Sequence, residues 1–394
     1  MTRREVLVVG TARTAIGSFG GMLKDIPLSG LATTAVRAAL ERSGVAAERV
    51  GHVVMGNVIP TEPRDAYLSR VAAIDSGIPK EVPAFNVNRL CGSAMQAIVS
   101  AAQSIMLGDV DVAIGGGAES MSRGPYIAPA TRWGARMGDT AMVDYMTGIL
   151  HDPWQKIHMG VTAENVASRY GISRQMQDEL AVESQRRASR AIAEGRFKSQ
   201  IVPIEISSRK GVVLFETDEN VRADVTVEGL AKMKPVFKRD GSVTAGNASG
   251  INDGAAAVVL VEAKVAQQQG LKPLARLVSY AHAGVEPEYM GIGPVPATRL
   301  ALQRAGLRVQ DLDVIESNEA FAAQACAVAR ELEFDSDKVN PNGSGISLGH
   351  PVGATGAIIS IKAIHELHRT GGRYALATMC IGGGQGIAAI FERI

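Results

Sequence analysis

The chain has 394 residues, a formal net charge of +1, and 46% hydrophobic against 21% charged residues. Single hydrophobic cores stop growing at roughly 250–300 residues, so this length calls for more than one folding unit. The near-zero charge excludes a global attraction to nucleic acid or to an anionic membrane surface, and no apolar run reaches the roughly 20 residues that span a bilayer.

Taken in chain order, residues 1–7 enter a strand-like run at once and lack the apolar core and cleavage site of a signal peptide. The C-terminal Phe391-Glu392-Arg393-Ile394 is not a peroxisomal address, so a cytoplasmic protein with reduced thiols is expected. Residues 8–17 follow a strand but lack G-x-G-x-x-G, and no Walker sequence occurs, which argues against a nucleotide-cofactor dehydrogenase or an NTPase. The three cysteines form neither a disulfide framework nor the spacing of a zinc site.

Strand-like Ala84-Phe85-Asn86-Val87 leads into Asn88-Arg89-Leu90-Cys91-Gly92-Ser93, and a helix follows. In that helix Ala94, Ala97, Ile98, Ala101 and Ile105 keep the spacing of one buried face. A thiol at a helix N-terminus has its thiolate stabilised by the positive dipole end, so the sequence predicts a lowered Cys91 pKa. The alternative, a small buried core cysteine, stays open on local grounds. Cys380 ends a strand and precedes Gly382-Gly383-Gly384, where bare N–H groups can face a cleft; an incidental thiol in a glycine turn is the other reading. Cys326, in an alanine-rich helix, reads as packing.

Of seven histidines only His350 stands in a glycine-framed loop, Gly349-His350-Pro351-Val352-Gly353. His365 and His368 are three apart on a helix without a nearby third metal ligand, and read as surface residues. Asn318 ends a strand and is either a helix N-cap or a polar catalytic group.

The chain also repeats itself. The helix at residues 31–40 and the strand Val53-Val54-Met55, ending at Gly56-Asn57, are echoed by residues 297–302 and Val314-Ile315-Glu316, ending at Ser317-Asn318. The helix after Cys91 is matched by residues 354–367, and Gly254-Ala255-Ala256-Ala257 by Gly386-Ile387-Ala388-Ala389. Alternating strands and helices in two similar copies predict an α/β fold: one half formed by residues 1–121 and 250–272, the other by 273–394. Residues 122–249 interrupt the first half and are expected to contact substrate.

Together Val87-Asn88-Arg89-Leu90-Cys91-Gly92-Ser93, Asn318-Glu319-Ala320-Phe321, Gly349-His350-Pro351 and Cys380-Ile381-Gly382-Gly383-Gly384 resemble the thiolase family, in particular its biosynthetic acetyl-CoA acetyltransferase (β-ketothiolase) branch. The resemblance implies a thiolase fold of two βαβαβαββ halves in a five-layer αβαβα sandwich with an inserted loop domain. It implies Claisen chemistry on acyl-CoA: Cys91 as nucleophile, His350 as its base, Cys380 as the base for carbanion formation. Asn318 with His350 would form one oxyanion hole, and the N–H groups of Cys91 and Gly382 the other. By the same resemblance Leu150, His158, Met159, Ala245, Ser249 and Phe321 would line the pantetheine and acyl pocket, and Arg222 and Phe237 would meet the nucleotide end of CoA.

Coenzyme A is then substrate and product, with no permanently bound cofactor and no metal. The expected partners are acyl-CoA substrates and other copies of the chain in a homotetramer, a dimer of dimers, with neither nucleic acid nor membrane. A degradative 3-ketoacyl-CoA thiolase is the alternative activity. A thiolase-like acyl-CoA binding protein without turnover is the alternative class. The chain departs from the family at Ser344 and Ala94, where glycine is usual, and Ala94 raises the expectation of an altered pocket near Cys91.

Overall fold

The computed structural model describes residues 4–208 and 211–394. Its β-rich, apolar runs assemble into one ten-stranded mixed sheet. The first half of that sheet lines up as Val6–Arg13, Asn252–Glu262, Val112–Ser120, His52–Gly56 and Ala84–Val87. The second half repeats the order with Ala275–Gly284, Gln385–Arg393, Tyr374–Ile381 and Val314–Ser317. Each half combines antiparallel neighbours with a parallel pair, His52–Gly56 beside Val112–Ser120 in one and Val314–Ser317 beside Tyr374–Ile381 in the other. The fifth strand of the second half is reduced to a single parallel bridge, Ile315 to Val339. The halves meet at a short seam, the pairs Leu7/Arg276 and Val8/Ala275.

Helix Leu28–Ser43 covers the first half-sheet and Pro294–Ala305 the second, while Ser93–Leu107 and Thr355–Thr370 pack on each other and on both half-sheets. This is the αβαβα layering expected from the sequence. The expected apolar face of Ser93–Leu107 is buried, but so are Met95, Val99 and Ala102, because a central helix is enclosed on more than one side. Glycine makes that enclosure possible. A Cβ on Gly115 would stand 2.6 Å from the Ile98 backbone, and one on Gly356 would stand 2.5 Å from the Met95 nitrogen.

The connection between Ser120 and Asn252 holds the longest excursion from the sheet among the described residues. It contains helices Met159–Tyr170 and Arg174–Ala193, started by the side-chain caps His158 and Ser173. The excursion is anchored to the first strand by a buried, bidentate ion pair: Arg13 Nη1 and Nη2 donate to the two oxygens of Asp218 at 2.8 and 2.9 Å. Asp218 also accepts the Ile16 N–H at 2.9 Å. Removing one member of such a pair leaves an uncompensated buried charge. Asp218→Ala is therefore expected to lower unfolding free energy by about 3–5 kcal/mol, read as a lower denaturation midpoint in urea.

Candidate active site

The turn after Ala84–Val87 is wound tightly enough to put Leu90 at φ 46°, a left-handed conformation that costs a branched side chain energy. Local hydrogen bonds impose it. Leu90 N–H donates to Asn88 Oδ1 and Arg89 N–H to Ser93 Oγ, both at 2.9 Å, and the Ser93 hydroxyl donates to Leu90 O at 2.6 Å. The result presents Cys91 immediately before the helix, half-buried in a cavity of 350 Å³.

Burial pushes the Cys91 thiol up to about 11, against the pull of the backbone N–H groups of Gly382 and of Cys91 itself, and with a further push from Glu119. The sequence-based expectation of a lowered pKa is thus wrong. A helix end is worth at most about 2 kcal/mol, whereas desolvation moves a buried group by several pKa units. The two N–H groups at the sulfur are nevertheless the pair that the motif implied for an oxyanion hole.

His350 follows the short helix Gly345–Leu348, and its N–H donates to Asn252 Oδ1 at 2.9 Å. Its Nδ1 lies 2.7 Å from Thr355 Oγ1, and the Thr355 hydroxyl donates to Pro351 O at 2.9 Å. With its only proton so used, Thr355 must accept from Nδ1–H, which leaves Nε2 as the basic nitrogen. Burial takes this imidazole down to about 4. Thiol and imidazole are both neutral at rest.

Asn318 Nδ2 sits 3.4 Å from His350 Nε2, and the Asn318 backbone N–H donates to Thr378 O. Its buried Oδ1 has no hydrogen-bond partner among the described residues. The N-cap reading fails, because the next helix, Ala322–Glu331, starts four residues further on, with Phe321 in the cap position. Cys380 closes strand Tyr374–Ile381 fully buried, and its thiol is pushed far up by burial and by facing Cys91. Positive φ at Gly383 and Gly384, 79° and 80°, turns the chain there.

The cavity brings Cys91, His350, Cys380 and Gly382 together. Leu150, His158, Met159 and Phe237 line it from the insert, with Ala245, Ser249 and Phe321 beside them. The last three are held by stitching of the insert's exit to the Asn318 segment: Ser249 N–H donates to Ala320 O and Ala322 N–H to Asn247 O. His158 stacks on Phe237, ring centroids 4.6 Å apart, while its Nδ1 accepts from Gly160 N–H. Arg222 is not brought in; it is exposed, and its N–H donates to Gln185. Ala94 is fully buried away from the cavity, close to where a Cβ on Gly117 would lie, so this departure does not reshape the pocket wall.

Met121, Val236, Thr244, Met290 and Val352 also line the cavity and went unrecognised. Only Val352 carried a signal, as a neighbour of His350 in the glycine-framed loop. Cys326 packs half-buried against the hydrophobic core, as its helix suggests, and burial pushes its thiol up to about 12. His365 is not a surface residue: its ring bridges Thr11 and Ser199 hydroxyls at 2.9 and 3.0 Å. Among the described residues no cluster of metal-ligating side chains occurs. A larger cleft of 570 Å³ beside Arg42 and Lys198 contains no thiol or imidazole, and Arg42 there is spent on four backbone carbonyls.

Two family domains account for nearly the whole chain: the thiolase N-terminal domain at residues 6–264 and the thiolase C-terminal domain at 271–393. The chain is 68% identical over 392 residues to the beta-ketothiolase BktB of Cupriavidus necator, covering 99% of this chain and 100% of that one. It is 51% identical to the acetyl-CoA acetyltransferase of Chromobacterium violaceum, covering 99% and 100%. Its fold superposes with a TM-score of 0.96 on a crystal structure of human mitochondrial 3-ketoacyl-CoA thiolase in complex with CoA, at 44% identity and 99% and 98% coverage. By its duplicated halves, its two thiols and imidazole on one cavity and these similarities, the chain belongs to the thiolase family.

Proposed function

We propose that this protein is a β-ketothiolase that joins acetyl-CoA to a second acetyl-CoA or another short acyl-CoA, giving a 3-ketoacyl-CoA and free CoA, and that it runs the reverse cleavage. One observation carries the reading: two thiols, a neutral imidazole and two inward N–H groups converge on a single apolar-lined cavity. Cys91 Sγ attacks the thioester carbonyl as its proton passes to His350 Nε2, and the oxyanion is received by the N–H groups of Cys91 and Gly382. The CoA sulfur departs with the Cys380 proton, leaving a thiolate. That thiolate, whose conjugate acid is pushed far up by burial, is a strong base suited to a weakly acidic Cα–H.

The Cα proton of acetyl-CoA then goes to Cys380, and the enolate oxygen is received beside His350 and Asn318. The carbanion attacks acyl-Cys91, and the expelled Cys91 thiolate recovers its proton from His350. Every proton is returned. The degradative branch is less well supported, since the relatives with the higher identities are named as a beta-ketothiolase and an acetyl-CoA acetyltransferase. A binding protein without turnover would have no need for all four side chains.

Three free thiols fit a reducing compartment, in line with a cytoplasmic enzyme. A homotetramer fits the insert's exposed apolar side chains, Trp133 at 90% and Met137 at 96% exposure, and the half-exposed edge strand Ala84–Val87.

Cys91→Ser is expected to abolish acyl-enzyme formation, whereas Cys380→Ser retains slow acylation and loses condensation; retention of label from radioactive acetyl-CoA distinguishes them, and equal label in both variants refutes the division of roles. Relative rates with acetyl-, propionyl- and butyryl-CoA as donor measure the acyl range. Thr355→Val frees the His350 tautomer, and the burst rate of CoA release should drop about tenfold or more with little change in KM. Because His350 acts as a base only when neutral and titrates at about 4, the burst rate in the native enzyme should stay level from pH 8 through 6 and fall only toward pH 4; an acid limb near the ordinary histidine value of about 6.5 contradicts this.

A further inference from the structure

The two halves place different chemistry at equivalent positions. Gly56 and Ser317 end the parallel pairing with Gly117 and Thr378, and an asparagine follows each, Asn57 and Asn318. Two residues beyond Gly117 and Thr378 stand Glu119 and Cys380, each facing a glycine across the next strand, Gly254 and Gly386. Glu119 is thus the first half's counterpart of the carbanion-forming Cys380, and the mechanism above leaves it unused.

Its surroundings are built rather than incidental. Glu119 is fully buried. Oε1 accepts from Asn57 Nδ2 at 2.9 Å and Ile59 N–H at 3.0 Å, Oε2 accepts from Val58 N–H at 3.1 Å, and the Gly353 N–H adds a fourth donor. A Cβ on Gly353 would collide with Oε2. Four donors directed at two oxygens fit the anion, yet burial outweighs them and, with Asp253 adding to it, pushes the group up to about 8. Among the described residues no cation pairs with it. Asp253 on the neighbouring strand and Cys91 face it, and across the cavity Cys91 faces His350 and Cys380.

We infer that Glu119 is a positioning residue for the thiolase reaction: its carboxyl group fastens the Asn57-Val58-Ile59 turn of one half to Gly353 in the histidine loop of the other, and when ionised sets a negative charge near Cys91. The fastening fixes the approach of the His350 loop to the nucleophile. The charge adds to the burial that keeps Cys91 a thiol until an acyl-CoA is present to be attacked.

Two variants separate these effects. Glu119→Gln removes the charge and turns an amide NH2 toward N–H donors. Its kcat should fall about tenfold while KM for acetyl-CoA stays within about twofold. At pH 9, where the Glu119 carboxyl of the parent enzyme is ionised, the variant's Cys91, identified by peptide mass spectrometry, should react with iodoacetamide about threefold faster than in the parent. Glu119→Asp keeps the charge but is one methylene too short to hold both loops, so kcat falls while Cys91 alkylation stays at the parent rate. A Glu119→Gln enzyme with parental alkylation, or a Glu119→Asp enzyme with parental kcat, overturns the assignment. If circular dichroism shows Glu119→Gln unfolded, Glu119→Asp decides alone.

Discussion

The close crossing of the two central helices is the constraint on which the remainder of the molecule rests. Gly356 and Met95, each in the first turn of its helix, come within van der Waals reach of each other's backbone, and only a missing side chain permits it. Cys91 lies just before one of these helices, and His350 lies just before the other, whose first residue is its hydrogen-bond partner Thr355. Bringing the helix starts together therefore brings the Cys91 thiol and the His350 imidazole to one cavity from residues more than 250 positions apart. The glycine strand Gly115-Gly116-Gly117 serves the same crossing from below, letting the sheet approach the helix backbone.

Burial then determines how that site can work. In an exposed site a cysteine and a histidine side by side settle readily into a thiolate–imidazolium pair. Here desolvation opposes charge on both, pushing the thiol up and the imidazole down. Charge appears only while a substrate carbonyl is present to receive it, where oriented N–H groups in a water-poor cavity stabilise it best. Cys380 benefits from the same surroundings in the opposite sense, since a thiol that resists ionisation becomes a strong base once its proton has been removed.

Much of this was legible in the sequence. Glycines beside Cys91, His350 and Cys380 marked places where backbone and substrate approach closely, and the internal echo gave the paired half-sheets and the central helices. The direction of the Cys91 shift was not legible, because a helix start is local information and burial comes from Val352, Gly382 and the insert, far away in the chain. His365 was misjudged for the same reason: its partners Thr11 and Ser199 lie on a strand and an insert that the helix pattern does not reveal. Met121 and Met290 look like any core methionine until the cavity they face is seen.

The attachment of the insert has a consequence for how such a protein changes over generations. Ser120 and Asp253, where the chain leaves and rejoins the first half-sheet, are paired directly across two neighbouring strands. The intervening segment is in effect one very long hairpin loop, and lengthening a loop adds only slowly to its closure entropy. Cys91, His350 and Cys380 all lie outside it, whereas Leu150, His158 and Phe237 lie inside. Insertions and exchanges in this segment can remodel one wall of the cavity while the two thiols and the imidazole keep their places, so the shape of the cavity and the chemistry within it are free to evolve on separate clocks.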